Sequence, residues 1–130
     1  MATATRTFKD LDLNFTAHPL TGDITRRTNE SAIKTSLRNL LQTNNFERPF
    51  RSTIGTPLRQ LLFSNADPLT KQMIRRAVED TVNNFEPRVE LLAVGVNMSP
   101  DTNSVSIDIE FKIRNTSTLE RINLTLERTR

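Results

Sequence analysis

Cysteine, tryptophan and tyrosine are all absent from this 130-residue chain, which carries a single histidine and three glycines. Without cysteine there are no disulfides, no thiolate ligands and no Cys nucleophile, a composition compatible with a reducing cytoplasm. Three well-separated glycines exclude the Gly-rich phosphate loops as a motif class. No apolar run approaches the ~18 residues of a membrane span. The opening Met1-Ala-Thr-Ala-Thr-Arg lacks the apolar centre of a signal peptide. Charge of one sign is also scarce: 18 basic residues face 15 acidic ones, a net +3. The longest basic runs are the dipeptides Arg26–Arg27 and Arg75–Arg76. Nucleic-acid binders concentrate positive charge on one face and offer aromatics for stacking; this pattern does neither. Acidic partners are permitted but not demanded.

Hydrophobic content is low, at 35%, against ~45–50% for ordinary domains on a scale that includes glycine. Leu, Ile, Val and Phe still clear the roughly 20% below which disorder is expected. A core forms, but a thin one for the length. Two readings fit: part of the apolar surface is buried against partners, or the chain is a small domain with long polar loops.

What is present divides by period. Residues 1–7 form a polar arm. Residues 8–28 read as an extended segment and a turn: Leu11, Leu13 and Phe15 alternate onto one face, and His18-Pro19-Leu20-Thr21-Gly22-Asp23 is turn chemistry. A first helix starts near Asn29, a good N-cap type, with Ile33, Leu37, Leu40 and Leu41 on one face. Glu30 and Lys34 are placed to pair along it. Thr56-Pro57 opens a short second helix carrying Leu58, Leu61 and Leu62. Asp67-Pro68 opens a third, with Leu69, Met73, Ala77 and Thr81 in one row beside Ile74, Val78, Val82 and Phe85; Pro87 ends it. From Val89 the period becomes two. Val105, Ile107, Ile109, Phe111 and Ile113 alternate strictly with polar residues, one face for a core and one for water. Strands over 89–98, 104–114 and 119–128 then make an antiparallel meander. The expectation is one α+β domain over 1–130: about three helices within 29–85, then the meander within 89–128.

Candidate chemistry is sparse. Carboxylate-pair hydrolysis needs two acids at a set separation, and Glu79 with Glu86 is a nominal pair. Glu79, beside Asp80, also fits an ordinary solvated helix face. His18 has no Cys or second His for a metal site, and no nucleophile elbow accompanies it; a structural turn hydrogen bond is the plainer role. No cofactor and no metal is expected. The most unusual local feature is Phe85-Glu86-Pro87-Arg88-Val89, where the longest helix hands over to the sheet. Proline fixes the exit and pushes Glu86 out of the helical region, and Arg88 supplies a planar fork. The feature reads either as a helix stop with two surface charges or as a contact site.

Taken together, Asp12–Asp23, Ile33–Asn44, Glu47-Arg48-Pro49-Phe50, Gly55–Phe63 and Phe85–Val89 form an ordered motif set. In these the chain resembles the gene-25-type baseplate wedge proteins of T-even-like contractile-tailed phages, and the related baseplate component of type VI secretion systems. The resemblance runs from about residue 8 to the C-terminus. It implies a structural protein of the virion tail baseplate, assembled in the host cytoplasm, with no enzymatic activity. Its implied partners are the other wedge subunits and the tail sheath protein, with no nucleic acid, membrane or metal. Glu86, Pro87 and Arg88 would contact the wedge bundle. Ile122, Leu124 and Leu126 would mark the strand on which the first sheath ring forms, with Glu120, Arg121, Glu127 and Arg128 guarding its edge and the Leu11–Phe15 segment available to cover one edge of the sheet. An older lysozyme label on the family leaves a peptidoglycan hydrolase as the alternative. One departure stands out. The family commonly has glycine before Glu-Arg-Pro-Phe, and here Phe46 occupies that place, so a glycine-type backbone angle is not expected there.

Overall fold

The computed structural model describes residues 9–12, 14–23, 26–114, 116 and 118–127. The arm at 1–7, together with Leu13, Asn115 and Arg128, lies outside them. The order of elements is β1 (Lys9–Leu11), β2 (Arg26–Thr28), α1 (Asn29–Gln42), α2 (Leu58–Leu62), α3 (Pro68–Phe85), β3 (Val89–Ser99), β4 (Ser104–Ile113) and β5 (Leu119–Glu127). The three helices and the antiparallel sheet of order β3-β4-β5 make an α+β fold.

The early segment departs from expectation. β1 pairs antiparallel with β2, Lys9 opposite Thr28 and Leu11 opposite Arg26. It therefore forms a two-stranded ribbon of its own and, among the described residues, pairs with no strand of the main sheet. The intervening turn is held by the His18 N–H donating to the Asp23 carbonyl at 2.7 Å and the Gly22 N–H to the His18 carbonyl at 2.9 Å. Gly22 has a φ of +68°, the left-handed angle that glycine adopts without penalty.

α3 follows its signals closely. Asp67 is the N-cap, accepting from the Thr70 N–H at 2.7 Å, with Pro68 in the first turn. In α2 the Thr56 hydroxyl accepts from the Leu58 N–H at 3.1 Å, and the helix begins one residue past Pro57. The buried face of α3 is Thr70, Ile74, Val78, Thr81 and Val82. Leu69 and Met73, one step round the helix, are exposed. The stripe that meets the sheet is narrower than the apolar pattern suggests.

The core lies between helices and sheet. Ile33, Leu37 and Leu41 of α1, Leu58 and Leu62 of α2, and Ile74, Val78 and Val82 of α3 meet Val89, Val94, the five inward residues of β4, and Ile122 and Leu124 of β5. Phe111, Ile107 and Ile109 are fully buried. Each such side chain contributes about 1.5–3 kcal/mol relative to exposure. The opposite face of β4 and β5 carries Ser106, Asp108 and Glu110 with Arg121 and Asn123, and Arg121 pairs there with Glu110. Lys34 reaches Glu120 on β5 and so ties α1 to the sheet, in place of the pair with Glu30 expected from spacing.

The loop from Asn44 to Thr56 contains the largest surprise. Phe46 has a φ of +68° and Phe50 a φ of +70°. The left-handed angle is thus retained at Phe46 without glycine, at a cost of roughly 1–2 kcal/mol for each such residue. The loop base explains why the chain must turn there. Thr56 N–H donates to the Thr43 carbonyl at 3.0 Å, and Gly55 sits so close that a Cβ would lie 2.6 Å from the Asn44 oxygen.

Candidate functional site

The corner at the end of α3 is a closed polar unit. The Glu86 N–H still donates to the Val82 carbonyl at 2.9 Å, but its ψ of 79° has left the helix, as a residue before proline must. The turn swings Arg88 back over Glu86. Arg88 Nε donates to Glu86 Oε1 at 2.6 Å, and Nη2 donates to Oε2 at 2.9 Å. Ser36 Oγ, from α1, donates to the same Oε2 at 2.8 Å. Glu86 is only 4% exposed. A two-pronged guanidinium–carboxylate pair is among the stronger side-chain interactions. The hydrogen bonds from Arg88 to Glu86 raise the guanidinium pKa further above its already high ordinary value; burial opposes this, and the charges of Glu86 and Asp10 add to it. The Arg114 N–H, donating to the Arg88 carbonyl at 3.1 Å, fastens the corner to the end of β4. Neither sequence reading described this: the two charges are not loose surface groups, because the Arg88 fork is engaged inside the chain.

Beside the corner opens a cleft of about 630 Å³. α1 contributes Ser36 and Asn39, the Asn44–Thr56 loop contributes Arg48 and Arg51, β1 contributes Asp10, and the end of α3 contributes Asn84. The lining is polar and basic at the loop side. Glu86 borders the cleft, but Glu79 does not. Both Glu86 oxygens are already accepting from Arg88 or Ser36. That arrangement does not provide the paired acid and base that glycoside hydrolysis requires. His18 is elsewhere, in its turn, where Nδ1 accepts from the Leu20 N–H at 3.3 Å. Among the described residues no group of His, Asp and Glu could hold a metal ion.

The two edges of the sheet differ. The Ile113 N–H donates to the Thr118 carbonyl at 3.1 Å, which makes that pair hydrogen-bonded. Antiparallel ladders alternate, so in the continuous register of β5 the N–H and C=O of Glu120, Ile122, Leu124 and Leu126 face β4. Those of Arg121, Asn123 and Thr125 face outward. On the other side of the sheet the same alternation turns the Val94 carbonyl outward, and there Arg75 meets it with Nε at 2.9 Å and Nη2 at 2.8 Å. A bulge between Leu91 and Ala93 twists that edge further. The β3 edge is thus blunted, while the outward backbone groups of β5 present a template for strand addition.

The structure shows how the side chains of β5 are placed. Ile122 and Leu124 are buried in the core and Leu126 packs against it. Their side chains hold the strand in place and do not face outward; only the backbone edge is available to a partner. Of the four expected guards, Glu120 is tied to Lys34 and Arg121 to Glu110, Glu127 is exposed, and Arg128 lies outside the described residues. Sequence reasoning did not single out Ser36 and Arg75. Neither carries a local signal, since each finds its partner 50 and 19 residues away.

Comparison with known proteins supplies the context for these features. The family described as baseplate wedge protein gp25 matches residues 27–118. The baseplate wedge protein gp25 of Enterobacteria phage T4 is 36% identical over 105 residues, covering 80% of each chain. A chain from Geobacter sulfurreducens described as a tail lysozyme superposes with a TM-score of 0.72 at 28% identity, over 78% of this chain and 92% of that one. A chain of the anti-feeding prophage baseplate shares the fold, with a TM-score of 0.66 at 20% identity over 92% of this chain and 84% of that one.

Proposed function

The chain belongs to the baseplate wedge protein gp25 family, and from that premise we propose that it is a structural component of a contractile-tail baseplate that docks on inner wedge subunits and offers the sheet on which the tail sheath begins. The observation that carries this reading is the β5 edge. Its inward side chains are anchored in the core while its outward backbone groups remain available, and the opposite edge is blunted at Val94 by Arg75 and nearby by a bulge. An extended arm of a sheath subunit adding alongside β5 would complete the ladder. The Glu86-Pro87-Arg88 corner supports docking in a different manner from loose charges. Its pair is preformed and rigid, so a wedge subunit meets a fixed surface beside the cleft and no side-chain freedom is lost on binding.

A peptidoglycan hydrolase is the second reading, favoured by the description of the Geobacter sulfurreducens chain. The occupied oxygens of Glu86 and the absence of Glu79 from the cleft weigh against it. The purified chain is expected to leave peptidoglycan uncleaved. Clearing of cell-wall substrate that a Glu86→Gln or Glu79→Gln variant abolishes would establish the enzyme instead. A cryo-EM map of the native baseplate tests the structural reading: the chain should lie with its corner against the inner wedge subunits and β5 toward the first sheath ring.

A further inference from the structure

We infer that the loop bearing Phe46 and Phe50 is a second docking element, whose two rings enter an apolar pocket edged by carboxylates on a neighbouring baseplate protein. The partner class rests on the baseplate reading; the surface itself stands on the loop. Phe46 is 80% exposed and Phe50 fully exposed. Both occupy the left-handed backbone region, where a bulky residue is an outlier and Gly or Asn is the comfortable choice. Each phenylalanine is therefore unfavourable twice, once for its backbone and once for its bare ring. The loop's own hydrogen bonds impose the angles, but both rings are left bare.

The loop is nevertheless held in one shape. Phe46 N–H donates to the Ser52 carbonyl at 2.8 Å, Ile54 N–H to the Arg51 carbonyl at 3.2 Å, and the Glu47 carboxylate accepts from the Asn44 N–H at 2.7 Å. Gly55 packs on the Asn44 backbone at its base. The rings are presented on a fixed frame, which lowers the ordering cost of binding.

Charge identifies the partner. Glu47 is turned onto the loop's own backbone. Arg48 and Arg51 are exposed, and among the described residues neither pairs with a carboxylate. The loop thus offers two rings and two free guanidiniums. Both arginines also line the cleft beside Glu86, so a partner seated on the corner would run on into this loop. Arginine forks select planar carboxylates, and burial of large aromatics at the centre of an interface with a charged rim is the usual energetic pattern.

The test uses full-length Phe46→Asn and Phe50→Asn, since asparagine tolerates the left-handed angle. Each variant is melted in purified form and also supplied in place of the wild-type chain during phage assembly, and its copies per purified baseplate are counted. The expected result is a melting temperature equal to or above wild type, with incorporation reduced at least tenfold. Arg48→Glu should also reduce incorporation. Wild-type incorporation of the Phe50→Asn chain, or a lowered melt accompanying its loss, would overturn the proposal, the latter because the ring would then serve the fold. Unchanged incorporation of Arg48→Glu would overturn the acidic partner. Sedimentation showing a wild-type dimer that Phe50→Asn dissolves would assign the loop to a second copy and overturn it too. Absence of the wild-type chain from baseplates would sink the baseplate reading itself, a distinct outcome.

Discussion

At the residue scale, Glu86 and Arg88 set the chemistry of the molecule. A buried carboxylate that meets a guanidinium fork and a hydroxyl is an assembled structural unit, and breaking it leaves the charge stranded. Arg88→Ala should destabilise the chain by about 3 kcal/mol, the low end for a broken buried pair because Arg88 retains some contact with water; denaturant titration measures it. Arg88→Lys keeps the charge but cannot serve both oxygens, so it should fall between wild type and alanine. Because hydrogen bonds to Glu86 raise the Arg88 pKa, the guanidinium stays charged across neutral and moderately alkaline conditions, and the stability linked to that shift is lost only as pH rises through strong alkali. Asp67 behaves in the opposite sense. The Thr70 N–H lowers its pKa below the usual 3.8, so its capping is complete above that value and lost as pH falls further. Protection of the Thr70 amide, relative to its intrinsic exchange rate, should fall as pH drops below the ordinary 3.8 while the centre of α3 stays protected; equal protection at both positions in strong acid would contradict the cap.

At the scale of elements, the strict alternation from Val105 to Ile113 and the Asp67-Pro68 start of α3 could be read from sequence because each depends on neighbours a few residues away. The corner could be located but not solved. Its proline and charges are local, whereas Ser36 arrives from α1 and the closing of Arg88 onto Glu86 depends on the exit angle. The β1–β2 ribbon was hidden because strands this short leave little periodicity. Phe46 misled for a different reason: residue preference argues against its angle, and the loop base imposes it. Gly55 is the hinge of that argument. Gly55→Ala would drive a methyl into the Asn44 carbonyl at a φ of +142°, so a loss well above about 1 kcal/mol is expected. A thermal melt unchanged by that substitution would refute the tight loop base.

At the scale of the whole molecule, the helices, corner and cleft are proposed to serve wedge subunits, and the β5 edge the sheath. These roles can be separated only by a probe that spares the core. Deleting residues 119–130 does not, since it strips Ile122 and Leu124 from between the helices and the sheet. Asn123→Pro does, because the Asn123 N–H points away from β4 and its side chain lies on the polar face. The β4–β5 ladder should survive, and the purified variant should melt near wild type. Electron microscopy of tails assembled with the Asn123→Pro chain therefore tests the central claim most directly. The account predicts complete baseplates on which ordered sheath fails to start; full-length, regularly packed sheath on those baseplates would contradict it.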